Sequence, residues 1–65
     1  MMSPLRPGDQ IFDLVRRKTL YVSSMTLVHG RIPVFNEEDN VPELIPVEKL
    51  RLGISTNVYQ VRRQG

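Results

Sequence analysis

The stretch from Thr19 to Phe35, TLYVSSMTLVHGRIPVF, constrains the fold more than any other part of the chain. It reads as two strands joined at His29-Gly30, where Gly supplies the positive φ that a tight hairpin turn demands. Before the turn, Leu20 and Val22 share one parity and Met25 and Leu27 share the other. Successive side chains of a strand point to opposite faces. All four therefore reach one core only if the strand bends or bulges, and Ser23-Ser24 is the expected hinge. A long, bent second strand serving two halves of a sheet is how small barrels close. After the turn, Ile32 and Val34 alternate with Arg31 and Pro33. Pro33 has no N–H for a ladder, so its nitrogen is expected at an edge or a bulge.

Composition agrees with strands. The chain holds eight Val and four Ile but no Ala. β-branched residues suit a pleated strand, whereas Ala is the best helix former. Leu, Ile, Val and Phe supply 21 of 65 residues, enough for a folded core. A chain this short buries only about 60% of its unfolded surface, so that core is small. The absence of Cys excludes disulfides, thiolate zinc sites and Cys nucleophiles, and fits a cytoplasmic location. Strictly apolar runs do not exceed two residues, so neither a signal segment nor a membrane span is expected.

Residues 1–9 read as an extended lead-in, with Pro7-Gly8-Asp9 as a turn. Gln10 to Arg16 is the expected first strand, and Arg16-Arg17-Lys18 a solvated connection. Asn36 to Asn40, NEEDN, is an exposed loop tip, and Val41 to Pro46 a further short strand. Pro46 to Leu50 suggests a single 3₁₀ turn, since Pro suits a first helical position and Val47 and Leu50 are spaced i, i+3. Leu52 and Ile54 follow as a last barrel strand. Residues 55–65 form either a basic terminal strand, including Val58 to Arg63, or a loose tail. The expected fold is all-β, with a barrel over residues 10–54.

The turn-strand opening, the bent strand with its tight turn, and the order of PELIPVEKLRL together resemble the SH3-like small β-barrel. In that architecture about five strands are arranged so that a 3₁₀ turn, here near Val47–Leu50, separates the last two. Fold alone does not bring function. Polyproline-binding SH3 domains use a groove that includes a Trp, and this chain has none. Gly8-Asp9-Gln10-Ile11 is similar to the opening of KOW-type nucleic-acid barrels, but Arg17-Lys18-Thr19 lacks the glycine expected soon after. Where the plasmid-borne dihydrofolate reductase barrels carry Gln, Ile and Tyr, this chain reads Glu43-Leu44-Ile45-Pro46.

Charge is unevenly spread. Residues 36–48 hold five acids and no base, and the remainder holds nine bases and two acids. The expected molecule is dipolar, although an acidic run is ordinarily a solvated loop. His29 stands alone and reads as a turn residue rather than a metal ligand. Glu37-Glu38-Asp39 lacks the alternation and the glycine of a calcium loop. Asp9 and Asp13 show no partner for acid–base work. No catalytic, cofactor or metal residues are assigned, no small-molecule substrate is evident, and the chain does not read as an enzyme. An enzyme formed at an oligomer interface would need a deep symmetric pore. The leading expectation is a small non-catalytic accessory module acting by protein–protein contact, self-association included. The alternative is a nucleic-acid-binding barrel. Its phosphate contacts would come from Arg16, Arg17, Lys18, Arg62 and Arg63, and Tyr59 would stack on a base.

Overall fold

The computed structural model describes residues 5–62. Five strands and one helix follow in the order β1 (Gln10–Asp13), β2 (Lys18–Val22), β3 (Arg31–Asn36), β4 (Val41–Pro46), α1 (Val47–Ser55) and β5 (Tyr59–Arg62). The strands form one antiparallel sheet in the order β4-β3-β2-β1-β5. The mostly-β class is thus as the residues suggest. Strand parity builds the core: Ile11, Leu20, Val22, Ile32, Val34 and Ile45 point to one face, where Leu50 of α1 and Tyr59 of β5 join them. Each such side chain contributes about 1.5–3 kcal/mol on full burial. No helix among the described residues is long and apolar enough to cross a membrane.

Local turn chemistry behaves as read. His29 and Gly30 both take positive φ, 52° and 73°, and Val28 and Arg31 exchange backbone hydrogen bonds of 2.8 and 3.0 Å across them. This is the primed two-residue turn that matches strand twist. In the lead-in, the Asp9 amide donates to the Arg6 carbonyl around Pro7 and Gly8, whose φ is 91°. Pro followed by a positive-φ Gly is the signature of a type II turn.

Four expectations are corrected. First, β2 does not continue as a bent strand through Ser23-Ser24. The Ser23 N–H donates to the Pro33 carbonyl at 3.0 Å, and the return donor is the one Pro33 lacks. The ladder stops there, residues 23–27 loop out, and Met25 and Leu27 remain 42% and 48% exposed. Second, β1 ends at Asp13 rather than Arg16. The Asp13 carboxylate accepts the Val15 and Arg16 amides at 3.0 and 3.1 Å, an Asx turn that diverts the chain. Third, Asn36 is not part of an exposed tip. It closes β3 fully buried, and the turn is Glu37 to Asn40.

The fourth correction concerns residues 47–55. The chain forms a nine-residue α-helix there, not a 3₁₀ turn followed by a strand. Leu52 and Ile54 look like strand alternation, but the stripe that packs is Leu50, Gly53 and Ile54, at i, i+3 and i+4, and Leu52 is exposed. Gly53 is in this helix for a reason of space. A Cβ there would stand 2.8 Å from Tyr59 Cε2 and closer still to Cδ2. The helix therefore lies directly on the Tyr59 ring, and that contact seats β5. Of the two readings for the C-terminal segment, residues 59–62 form the strand. Residues 63–65 lie outside the described residues.

Candidate functional site

Arg16, Arg17 and Lys18 sit at the β1–β2 turn, beside the β3–β4 turn that carries the acids. Arg16 Nε donates to Asp13 Oδ2 at 2.9 Å. Its two terminal nitrogens reach Glu43 Oε1 and Oε2 at 2.9 and 3.3 Å, a bidentate pair. Lys18 Nζ meets Asp39 Oδ1 at 2.9 Å. Asn36 organises the acids from below. Its Nδ2 donates to Glu43 at 2.8 Å and to Asp39 at 3.1 Å, and its Oδ1 accepts the Asp39 amide at 3.0 Å. The Glu38 carboxylate accepts the Thr19 amide at 2.6 Å.

These contacts set the acidities. Burial pushes the Asp13 carboxyl up, but the Arg16 guanidinium and the Arg16 and Val15 amides together outweigh it and hold the group below its ordinary value. Hydrogen bonds from Arg16, then from Asn36, lower Glu43. The Thr19 amide lowers Glu38. The Arg16 guanidinium is raised by Glu43 and Asp13. No buried polar side-chain atom among the described residues lacks a partner. Two acids of the arc, Asp39 and Glu43, therefore pair with Lys18 and Arg16 of the first basic cluster across the fold. Arg16 and Lys18 spend their donors on this network, while Arg17, at φ 58°, has no ion pair among the described residues.

The second basic cluster does not merge with the first. β5 does return beside β1, but antiparallel, with Asp13 opposite Tyr59 and Gln10 opposite Arg62. Arg62 therefore lies at the far end of β1 from Arg16. Tyr59, expected to stack on a base, is 4% exposed beneath α1 and has no face free for one. Arg63 lies outside the described residues. No cluster of three His, Cys, Asp or Glu residues suited to a metal occurs among the described residues.

What the sequence reading missed is the outer face of the sheet, opposite the core. Across β2, β3 and β4 the register sets Tyr21 beside Phe35, Phe35 beside Pro42, and Pro33 beside Leu44. Phe35 and Leu44 are 36% and 46% exposed. A second feature of this face is a shallow depression of about 320 Å³ over β2, β1 and β5, lined by Gln10, Phe12, Leu14, Thr19, Gln60 and Arg62. The signal was present in RIPVF and VPELIP, where apolar residues or prolines occupy both parities. A strand of that kind has two sticky faces, and one small helix covers only one of them.

Compared with known families, curated proteins and solved structures, the chain matches none. Its surface chemistry carries the functional reading.

Proposed function

We propose that the chain is an SH3-like small barrel serving as a non-catalytic contact module, and that it binds a partner protein through the outer face of β2, β3 and β4. The strand order β4-β3-β2-β1-β5, with a helical segment between the last two strands, supports the barrel reading. The contact reading rests on one observation: Phe35 and Leu44 stand exposed in two adjacent cross-strand rows, Tyr21-Phe35-Pro42 and Pro33-Leu44, on one face. Interface cores are depleted in charge and enriched in aromatics, as these rows are. The chemistry of the rows selects a partner with an apolar, weakly charged surface. Leu44→Lys tests the reading. Its side chain faces solvent, so the thermal midpoint is expected to hold. A partner captured from host extract by the wild-type chain is expected to be lost by the variant. Identical capture by both chains counts against the outer face.

A second reading has its own observation. The depression over β1 and β5 sets Phe12 beside Gln60 and Arg62, an aromatic next to a cation suited to a stacked base and its phosphate. A salt-dependent mobility shift with single-stranded RNA or DNA, abolished by Arg62→Glu, supports it. No shift at low salt removes it.

A further inference from the structure

Among the described residues, β4 and β5 each have one strand neighbour. Backbone parity decides what each edge offers. Ser23 donates to the Pro33 carbonyl and Glu37 to that of Thr19, so odd-numbered positions of β3 bond towards β2. Ile32, Val34 and Asn36 then bond towards β4, where they face Ile45, Glu43 and Val41. Pro42, Leu44 and Pro46 consequently turn their backbone outwards. Two of these three have no N–H, so the β4 edge is blunted as natural edges often are. On the other side, the Leu14 amide donates to the Val58 carbonyl at 2.9 Å. Even-numbered positions of β5 therefore bond to β1, in the register Phe12 opposite Gln60 and Gln10 opposite Arg62. Tyr59 and Val61 direct both N–H and C=O outwards, with no backbone partner among the described residues.

We propose that this open edge pairs antiparallel with β5 of a second copy, about a twofold axis passing beside Gln60, joining two sheets into one. This site is separate from the outer face proposed above. The outward groups of Tyr59 and Val61 meet those of Val61 and Tyr59 in the second copy, giving about four backbone hydrogen bonds. The strand is complementary to itself in this register. On the core side the Tyr59 ring stays beneath α1, so Tyr59 and Val61 meet their counterparts through the backbone. On the outer side Gln60 faces Gln60, whose amides offer both donor and acceptor. Arg62 falls opposite Val58 of the second copy, so like charges are not set directly across from each other. That self-complementarity points to a second copy rather than an unrelated strand. The contact is isologous, and the blunted β4 edge keeps it from continuing into a fibre.

Gln60 is exposed and sits where side chains approach most closely, so charge placed there tests the register. In sedimentation of the full chain over rising concentration, a reversible dimer is expected. Gln60→Lys and Gln60→Glu each weaken it by roughly five- to tenfold through self-repulsion. An equimolar mixture of the two variants recovers wild-type or tighter pairing. Independently of any variant, the Tyr59 and Val61 amides of the wild-type chain exchange more slowly with solvent as concentration rises. Leu44→Lys leaves the dimer unchanged, which separates this contact from the outer face. The proposal is overturned by a monomer at millimolar concentration, by a dimer indifferent to both charges, or by a mixture no tighter than its components.

Discussion

The two edges of the sheet are held in different ways. β4 is paired with β3 from Arg31 to Asn36 and packs Ile45 into the core, and Glu43 reaches back across the sheet to Arg16, so polar side chains add to the packing of this strand. β5 is a shorter strand with no ion pair among the described residues, and it is fastened by packing, with the Tyr59 ring against Gly53. One edge is finished by prolines and the other is left open. The lesson concerns directionality. A polar network fixes geometry and tolerates a solvent-facing position, whereas an apolar contact holds a strand only as long as the surfaces fit closely.

The sharpest way to break this contrast is Gly53→Val. Its side chain would drive Tyr59 off the helix, and a loss of about 3 kcal/mol is expected. The thermal midpoint should fall by roughly 12–24 °C. A melt indistinguishable from wild type would show that α1 and β5 are not clamped at this point. On the other edge, Asn36→Leu removes the donor shared by Asp39 and Glu43 and leaves the Asp39 amide without its acceptor. About 2 kcal/mol should be lost, measured by urea unfolding. An unchanged midpoint would mean that the carboxylates are held by Arg16 and Lys18 alone.

Acid should act on the carboxylates gathered around Arg16 rather than on the contact of Tyr59 with Gly53. Asp13 and Glu43 are held below their ordinary values of 3.8 and 4.5. Groups depressed in the folded state stabilise it fully above those values, and the stabilisation is lost as pH falls through the lower folded values. Arg16 is half open to solvent, which limits the combined effect to about 1 kcal/mol. The urea midpoint should therefore decline below roughly pH 4.5, and less steeply in Glu43→Gln. A variant that keeps the full acid slope would assign it elsewhere. The smallest effect on stability comes from Pro42→Thr with Pro46→Thr, within about 0.5 kcal/mol. Restoring two outward donors should nevertheless create a new self-association that Gln60→Lys does not relieve, seen by sedimentation. A double variant that associates no more than wild type would remove the prolines' role as edge guards.

Much of the sheet was legible because strand signals are short-range. Alternation gave Leu20 and Val22 one face and Ile32 and Val34 another shared face, and Gly30 marked the hairpin. The miss at Met25 and Leu27 came from assuming that every apolar pair must reach the core. Pro33, whose nitrogen was expected at an edge or a bulge, stands where the β2–β3 ladder stops. The miss at Leu52 came from a pattern too short to separate period two from period 3.6. The candidate site was less legible still. Arg16 and Glu43 are 27 residues apart, and nothing local announces that they meet.

Sequence alone determined the mostly-β class, the turns at Pro7-Gly8-Asp9 and His29-Gly30, and the shared parity of Leu20 with Val22 and of Ile32 with Val34. Each depends on backbone preferences and burial over a few neighbouring residues. The tertiary structure alone decided that the acidic arc would clasp Arg16 and Lys18 rather than remain a free pole. It also decided that Tyr59 would be buried, that Arg62 would lie at the far end of β1, and that Phe35 and Leu44 would share an uncovered face. These outcomes follow from register and strand direction, which bring together residues far apart in the chain. An antiparallel return reverses which residues become neighbours, and no local pattern encodes that reversal.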